Sequence, residues 1–203
     1  MIRLAITQRV ELFDDYGERR DCLDQRWIKF LSRCNVTPLI IPNVLTSALA
    51  IFLAAPADGL LLTGGNDLAC CNGDAPDRDQ VENRLLDEAL SRSIPILGVC
   101  RGMQLVQHRF GIELHETEGH VTGRQGITVD GRSTVVNSYH RYGSTETVPN
   151  LDVWARAEDG VVKAISNEQQ KILGVMWHIE RMDPFRSEDI AMVRRHFGGR
   201  KGA

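Results

Sequence analysis

The chain has 203 residues, of which 42% are hydrophobic and 25% are charged, so it is neither disordered nor built for a membrane. Its net charge of -3, without a long basic block, argues against a nucleic-acid polymer as partner. We therefore expect one globular domain of enzyme size over residues 1–203.

The five cysteines are odd in number and include no Cys-x-x-Cys pair; they are Cys22, Cys34, Cys70, Cys71 and Cys100. This pattern is typical of neither a disulfide framework nor a zinc site, so we expect reduced thiols and no metal. The N-terminal residues do not form a signal peptide, and no apolar run reaches transmembrane length. These observations predict a cytoplasmic protein with no membrane partner.

Short apolar runs alternate with helical patterns through the first half of the chain. The pattern predicts strands over residues 4–7, 38–42 and 59–63, and helices over residues 21–33, 44–53 and 80–92. Such alternation predicts an α/β fold with a mainly parallel open sheet and helices on both faces. Since the carboxyl ends of parallel strands meet at one crevice, we expect the functional residues there.

The next apolar run ends abruptly at Cys100, which stands between Gly98 and Gly102 and is followed at once by a helical pattern. This is the pattern of a nucleophile elbow, with sulfur in place of the usual serine oxygen. The glycines would let the strand and helix approach closely around a strained residue, whose sulfur we expect to be exposed. The amino end of a helix favours a thiolate. The alternative is a buried structural cysteine.

After His120 the sequence changes to short strands separated by turn residues. We expect antiparallel strands over residues 126–129, 134–136, 153–157, 162–166 and 172–176, then a helix over residues 187–197. Turns are predicted at Asp130-Gly131 and Asp159-Gly160.

A second candidate site follows the last of these strands, where Trp177-His178-Ile179-Glu180 stands. Side chains two apart on an extended segment point the same way, so Glu180 can orient the His178 ring as a base for a cysteine nucleophile. His108, His115 and His120 have no carboxylate at ligand spacing, and we interpret them as structural.

Four blocks of the sequence resemble one known family. They are Leu-Thr-Gly-Gly at 62–65, Gly-Val-Cys-Arg-Gly-Met-Gln at 98–104, Asn-Ser-Tyr-His at 137–140 and Trp-His-Ile-Glu at 177–180. Together they resemble the class I glutamine amidotransferase superfamily, and within it the γ-glutamyl hydrolase branch, peptidase C26. The resemblance covers nearly the whole chain and implies a flavodoxin-like fold. Ile179 departs from the family, which usually has proline there.

The resemblance implies a role for several residues. Cys100 would be the nucleophile, His178 the base and Glu180 its orienter, and the backbone amides of Arg101 and of Gly64 or Gly65 would form an oxyanion hole. The substrate-binding set that it implies also contains Gln104, Asn137, Ser138, Tyr139 and His140. A surface position for His140, and packing around the site for Tyr139, are the alternatives.

Further blocks, at residues 6–9, 63–68 and 176–181, resemble a subgroup that removes glutamate from a cytidine-diphosphate-activated glutamine. This would release cytidine diphosphoramidate for phosphoramidate decoration of capsular polysaccharide. Arg9 follows the first predicted strand and could meet a phosphate at the crevice. Alternatively, Arg9, Arg20 and Arg26 are solvated or ion-paired with Asp21 and Asp24.

The sequence thus predicts a cysteine-dependent hydrolase of a γ-glutamyl amide, acting through a thioester without a cofactor. Three alternatives remain: a glutaminase subunit that supplies ammonia to a synthetase, a hydrolase of another γ-glutamyl amine, and a non-catalytic binding or redox module. The sequence leaves a homodimer open.

Overall fold

The computed structural model describes residues 2–54 and 56–198, and a nine-stranded sheet forms the centre of this part of the chain. The strands are β1 (Ile2–Ile6), β2 (Arg9–Phe13), β3 (Glu18–Cys22), β4 (Val36–Ile40), β5 (Gly59–Leu62), β6 (Ile96–Val99), β7 (His115–Glu116), β8 (Val121–Val129), β9 (Arg132–Tyr139), β10 (Tyr142–Gly143), β11 (Asp152–Ala157), β12 (Val162–Asn167) and β13 (Ile172–Val175). The α-helices are α1 (Gln25–Arg33), α2 (Leu45–Ala54), α3 (Pro76–Ser91), α4 (Arg101–Arg109) and α5 (Ser187–Gly198).

The main sheet has the order β4-β1-β5-β6-β13-β12-β11-β8-β9. Its strands pair in parallel from β4 to β13 and antiparallel from β13 to β9. The predicted fold class is confirmed: an α/β fold with a parallel sheet, and antiparallel strands in the C-terminal half. These antiparallel strands extend the same sheet. The prediction for residues 172–176 is wrong in part, because β13 is antiparallel to β12 but parallel to β6.

The two faces of the parallel strands are covered by different helices. In β1, Leu4 and Ile6 point to one face, with Phe30 of α1 and Phe197 of α5 in the same hydrophobic cluster. Ala5 points to the opposite face, whose cluster contains residues of α2, α3 and α4. The alternation follows from the two-residue period of a strand. Helices therefore lie on both faces, as predicted.

The first predicted helix is wrong at its start. We expected it over residues 21–33, but it begins at Gln25, because the Asp24 carboxylate accepts a hydrogen bond from the Arg26 backbone amide at 2.9 Å and caps the helix. Asp21 instead belongs to β3, which pairs with β2 in a hairpin that the sequence analysis did not predict.

The third helix begins earlier than predicted. It starts at Pro76 instead of residue 80, with the proline in its first turn and Asp77 and Asp79 beside it. Proline and acidic residues are favoured in the first helical turn. The extra turn places Arg78 on the buried side of the helix, where its exposed fraction is 0%.

No helix within the described ranges is long and apolar enough to cross a lipid bilayer.

The close approach of β5 and α4 depends on Gly102. A Cβ atom added there would lie 2.2 Å from the Leu62 carbonyl oxygen, far inside van der Waals contact. We expect Gly102→Ala to lower the free energy of unfolding by at least about 2 kcal/mol, measured by urea denaturation.

Gly126→Ala is the matched control, because nothing lies within 4 Å of the added Cβ atom on that exposed strand. It should leave the free energy of unfolding nearly unchanged or slightly higher. Equal losses in the two variants would show that the packing of Gly102 is not the cause.

Candidate active site

Cys100 lies at the turn between β6 and α4, with backbone angles of φ 53° and ψ -109°. A positive φ is strained for a residue with a side chain. The turn is held by hydrogen bonds from the Cys100 amide to the Val175 carbonyl at 2.8 Å, and from the Gln104 amide to the Cys100 carbonyl at 3.0 Å. The predicted strand-to-helix elbow, with its strained residue and close-packed glycines, is therefore present.

The expectation of an exposed sulfur is wrong, since only 5% of Cys100 is accessible. The residue instead lines a cavity of about 500 Å³. The remaining lining comes from the loop after β5, the start of α4 and the end of β9, and comprises Gly65, Asn66, Asp67, Asn72, Gly73, Asp74, Arg101, Gln104, Val121, Tyr139, His140 and Arg141. A small molecule bound in this cavity would therefore lie against Cys100.

His178 and Glu180 are buried together. His178 Nδ1 lies 2.7 Å from Glu180 Oε1, which leaves Nε2 of the ring for other partners. The spacing argument reached this contact for the wrong reason, because Glu180 belongs to a 3-10 turn, Ile179–Arg181, and not to an extended segment. A single helical turn brings the carboxylate back to the ring.

The charge state of His178 depends on Cys100. Burial disfavours the protonated ring, but the charge of Cys100 and its hydrogen bond to the ring, followed by the contacts with Glu180, outweigh this effect and raise the pKa of His178 to about 9. A negative charge on Cys100 thus favours the protonated ring of His178, and both residues lie against Gly64.

Gly64 contacts both of these residues. A Cβ atom added to Gly64 would lie 2.6 Å from His178 Cε1 and 3.4 Å from Cys100 Cβ. Gly65 has a φ of 86°, a conformation that favours glycine. The side chain of Arg101 is buried and ion-paired with Asp79 and Glu82. Arg101 can thus offer its backbone amide, at the first position of α4, to a group bound beside Cys100.

In the block at residues 137–140, the first two side chains bind the backbone of other segments and the last two residues line the cavity. The Asn137 side chain exchanges two hydrogen bonds with the His178 backbone, at 2.8 and 2.9 Å, and Ser138 Oγ donates to the His120 carbonyl at 2.7 Å. Neither lines the cavity, whereas Tyr139 and His140 do. Tyr139 is 41% exposed, and its ring centre lies 5.9 Å from that of His178.

Two other predicted residues differ in their placement. Gln104 lines the cavity, and its Nε2 donates to the Tyr142 carbonyl at 2.7 Å. Arg9 is ion-paired with Glu11 and does not line the cavity, although its side-chain carbons lie against Gly65. Arg20 is paired with Glu18, so the partners of both arginines differ from Asp21 and Asp24, the acids that the alternative interpretation named.

The sequence analysis missed Asp67 and Arg141, which line the cavity. Burial raises the pKa of Asp67, although the positive charges of Arg141 and Arg101 oppose that effect. Arg141 takes part in none of the ion pairs found in the described ranges. The position of Asp67 after a buried strand was the signal that could have identified it.

A buried lysine lies behind the cavity. Lys163 Nζ contacts His120 Nδ1 at 2.8 Å, His140 Nε2 at 2.6 Å and Ser138 Oγ at 3.1 Å. Burial lowers the pKa of Lys163 to about 7, against the opposing charges of Cys100 and Asp159. His120 also has a carboxylate partner, since its Nε2 lies 2.7 Å from Asp159 Oδ2, a contact that short-range spacing did not indicate.

Sequence comparison identifies relatives over most of the chain. The family model of Peptidase C26 matches residues 4–125 and 117–180. The chain is 30% identical to γ-glutamyl-CDP-amidate hydrolase of Campylobacter jejuni, over 88% of this chain and 90% of the relative. It is 29% identical to γ-glutamyl-γ-aminobutyrate hydrolase PuuD of Escherichia coli K12, over 90% of this chain and 86% of the relative.

Solved structures share the fold at lower identity. A glutamine amidotransferase from Thermotoga maritima aligns with a TM-score of 0.67 at 16% identity, over 100% of this chain and 86% of that one. The glutaminase domain of Trypanosoma brucei CTPS aligns with a TM-score of 0.72 at 14% identity, over 100% of this chain and 96% of that one. With a family model that matches most of its length, this chain belongs to the Peptidase C26 family.

Proposed function

We propose that this protein hydrolyses a γ-glutamyl amide through a thioester on Cys100. One observation carries the proposal: a cysteine at a strained strand-to-helix turn and a histidine both lie against Gly64, a buried carboxylate lies 2.7 Å from that histidine, and the cysteine lines a cavity of about 500 Å³. These are the parts that a cysteine nucleophile requires. The γ-glutamyl hydrolases among the relatives support the same reaction class.

The acylation step begins with the charged pair. Because the imidazolium of His178 stabilises negative charge on the Cys100 sulfur, the sulfur can attack the γ-carbonyl carbon. The carbonyl oxygen becomes an oxyanion, which accepts hydrogen bonds from the amide of Arg101 and from that of Gly64 or Gly65. His178 then donates its proton to the leaving nitrogen as the carbon–nitrogen bond breaks, and an amine leaves.

Deacylation uses the same residues, but His178 now accepts a proton instead of donating one. The neutral His178 takes a proton from water, the hydroxide attacks the thioester carbon, and the carbon–sulfur bond breaks. Glutamate leaves, and the sulfur recovers its negative charge beside the protonated ring. Glu180 keeps Nδ1 of His178 as the hydrogen-bond donor throughout, so that Nε2 exchanges protons with substrate and water.

For the leaving group we propose a nucleotide diphosphate, with γ-glutamyl-CDP-amidate as the substrate. The name of the Campylobacter relative supports this choice. The cavity offers the guanidinium of Arg141, which forms no ion pair within the described ranges and is a planar donor suited to phosphate, and the half-exposed residue Tyr139. The product would be cytidine diphosphoramidate. We propose that this product serves the phosphoramidate decoration of capsular polysaccharide.

The nucleophile assignment predicts that Cys100→Ala abolishes glutamate release from γ-glutamyl amides. Cys70→Ala is the control, because Cys70 is an exposed free thiol outside the cavity lining. It should retain full activity. An electrophilic glutamine analogue should modify Cys100 in the wild type, as located by peptide mass spectrometry. Modification of Cys70 instead, with Cys100 intact, would contradict the assignment.

The charged pair predicts a change in the titration of His178. In Cys100→Ala we expect the pKa of His178 to fall from about 9 toward the ordinary histidine value. The reason is that the interaction with Cys100, which raises this pKa most strongly against the effect of burial, is lost. Glu180→Gln should lower the pKa by less. The measurement is an NMR titration of the histidine ring signals, with the His178 signal identified by its absence from His178→Gln. A larger decrease in Glu180→Gln would contradict the pairing with Cys100.

The substrate proposal predicts that Arg141→Ala lowers kcat/KM for a γ-glutamyl nucleotide amidate by about 10- to 100-fold, the effect of losing a charge-assisted hydrogen bond. Hydrolysis of a small uncharged γ-glutamyl amide should change little. Arg9→Ala is the comparison, because Arg9 lies near Gly65 but is paired with Glu11.

If Arg9→Ala shows the substrate-dependent loss and Arg141→Ala does not, Arg9 is the phosphate contact that the sequence analysis expected. If the wild type prefers a small γ-glutamyl amine, or both variants affect the two substrates alike, the nucleotide substrate is excluded. The reaction class of the E. coli relative would then remain.

A further inference from the structure

A buried group of charges lies next to the cavity, and two of its members, Arg78 and Glu82, are not among the lining residues. Arg78 and Glu82 are both 0% exposed and are one turn apart on α3, and Arg78 Nε donates to Glu82 Oε1 at 2.9 Å. The second oxygen of Glu82 is ion-paired with Arg101, the residue that follows Cys100. A single carboxylate therefore connects α3 to the beginning of α4.

The rest of the Arg78 guanidinium binds the loop after β5. Nη2 donates to the carbonyls of Thr63 at 2.8 Å and Gly64 at 3.1 Å, and Nη1 donates to the carbonyl of Gly65. Three consecutive carbonyls thus point toward one side chain. The planar guanidinium is suited to this role, because its several N–H groups have fixed directions.

Fixing these carbonyls also fixes the amides. In a planar trans peptide, the N–H group points away from the carbonyl of the preceding residue, and the cis bond found in the described ranges is elsewhere, at Asp183-Pro184. The amides of Gly64, Gly65 and Asn66 therefore point away from Arg78. Across residues 2–54 and 56–198, no hydrogen-bond acceptor is found for these three amides.

The network is costly, which makes a purely structural role a poor explanation. Burial lowers the pKa of Arg78 to about 10, although Glu82 opposes that effect, so the side chain still carries its charge at neutral pH. For Glu82, burial acts to raise the pKa, but the charges of Arg101 and Arg78 together lower it. Well-packed apolar residues could fill such a space at least as stably.

We propose that Arg78 and Glu82 are positioning residues for the oxyanion hole. Arg78 turns the amides of the Gly64–Gly65 loop away from itself and toward the reacting carbonyl, and Glu82 ties Arg78 to Arg101, whose amide lies on the other side of Cys100. Neither side chain touches the substrate. The inference rests on the proposed amide hydrolysis. It adds that the two sets of donors in the oxyanion hole, the amides of the Gly64–Gly65 loop and the amide of Arg101, are both linked to the carboxylate of Glu82.

The test compares two reactions of Cys100. Attack on an amide builds up an oxyanion, whereas alkylation by iodoacetamide displaces iodide and needs no oxyanion hole. In Arg78→Lys and Glu82→Gln we expect kcat for γ-glutamyl amide hydrolysis to fall by about 100-fold or more. KM and the rate of Cys100 alkylation should stay within about threefold of the wild type, because the cavity and the nucleophile are unchanged.

The matched controls are Arg84→Lys and Glu88→Gln. Arg84 and Glu88 form an ion pair at 2.7 Å with the same spacing on the same helix, but Arg84 is exposed. These variants should keep wild-type kcat. Should Arg78→Lys fail to fold, as judged by circular dichroism, Glu82→Gln carries the comparison, since it preserves the size of the side chain but replaces one of the two acceptor oxygens with an NH2 donor.

Two results would overturn the inference. One is a kcat within about threefold of wild type in the folded variants, and the other is an equal slowing of hydrolysis and alkylation, which would mean that the nucleophile itself is damaged. Failure of the proposed function would be distinct, because the wild type would then release no glutamate from any γ-glutamyl amide while Cys100 still reacts with iodoacetamide.

Discussion

The contact between the backbones of Gly102 and Leu62 is the constraint on which the rest of the site depends. Because α4 begins against the end of β5 with no room for a Cβ atom, the chain must turn within one residue, and that residue is Cys100. The turn places the sulfur beside the loop after β5, where Gly64 meets His178. Close packing thus brings residues from three separate strands together.

The parts that local pattern determines could be predicted from the sequence. The parallel strands β1, β4, β5 and β6, the elbow, and the contact of His178 with Glu180 each depend on residues close in sequence. The parallel pairing of β13 with β6 depends on a distant strand and was not predicted. The β2–β3 hairpin was not predicted, because four of the five residues of its second strand are charged and its last two residues, Asp21 and Cys22, were interpreted as the start of a helix. The extended conformation of β3 is explained by its pairing with β2, which the sequence of β3 alone does not indicate.

The buried charged residues and their partners were also difficult to predict from the sequence. Lys163 takes its partners from positions 120, 138 and 140, which no local pattern connects to it. Arg78 was detectable in part, because it lies four residues before Glu82 on the same face as the apolar residues of α3. A charged pair on an apolar helix face was therefore the one available signal. The carbonyl groups that Arg78 binds could not be predicted, because they are brought next to it only by the three-dimensional fold.

The pairing of β13 has a practical consequence. This strand is parallel to β6, with Val175 beside Val99, so its register fixes where His178 stands relative to Cys100. The turn that precedes it, at Glu168, Gln169 and Gln170, is exposed and lies at the opposite end of the strand from the cavity. A fluorophore or affinity tag inserted in that turn would leave the register intact, so the protein could be immobilised or followed in cells through it.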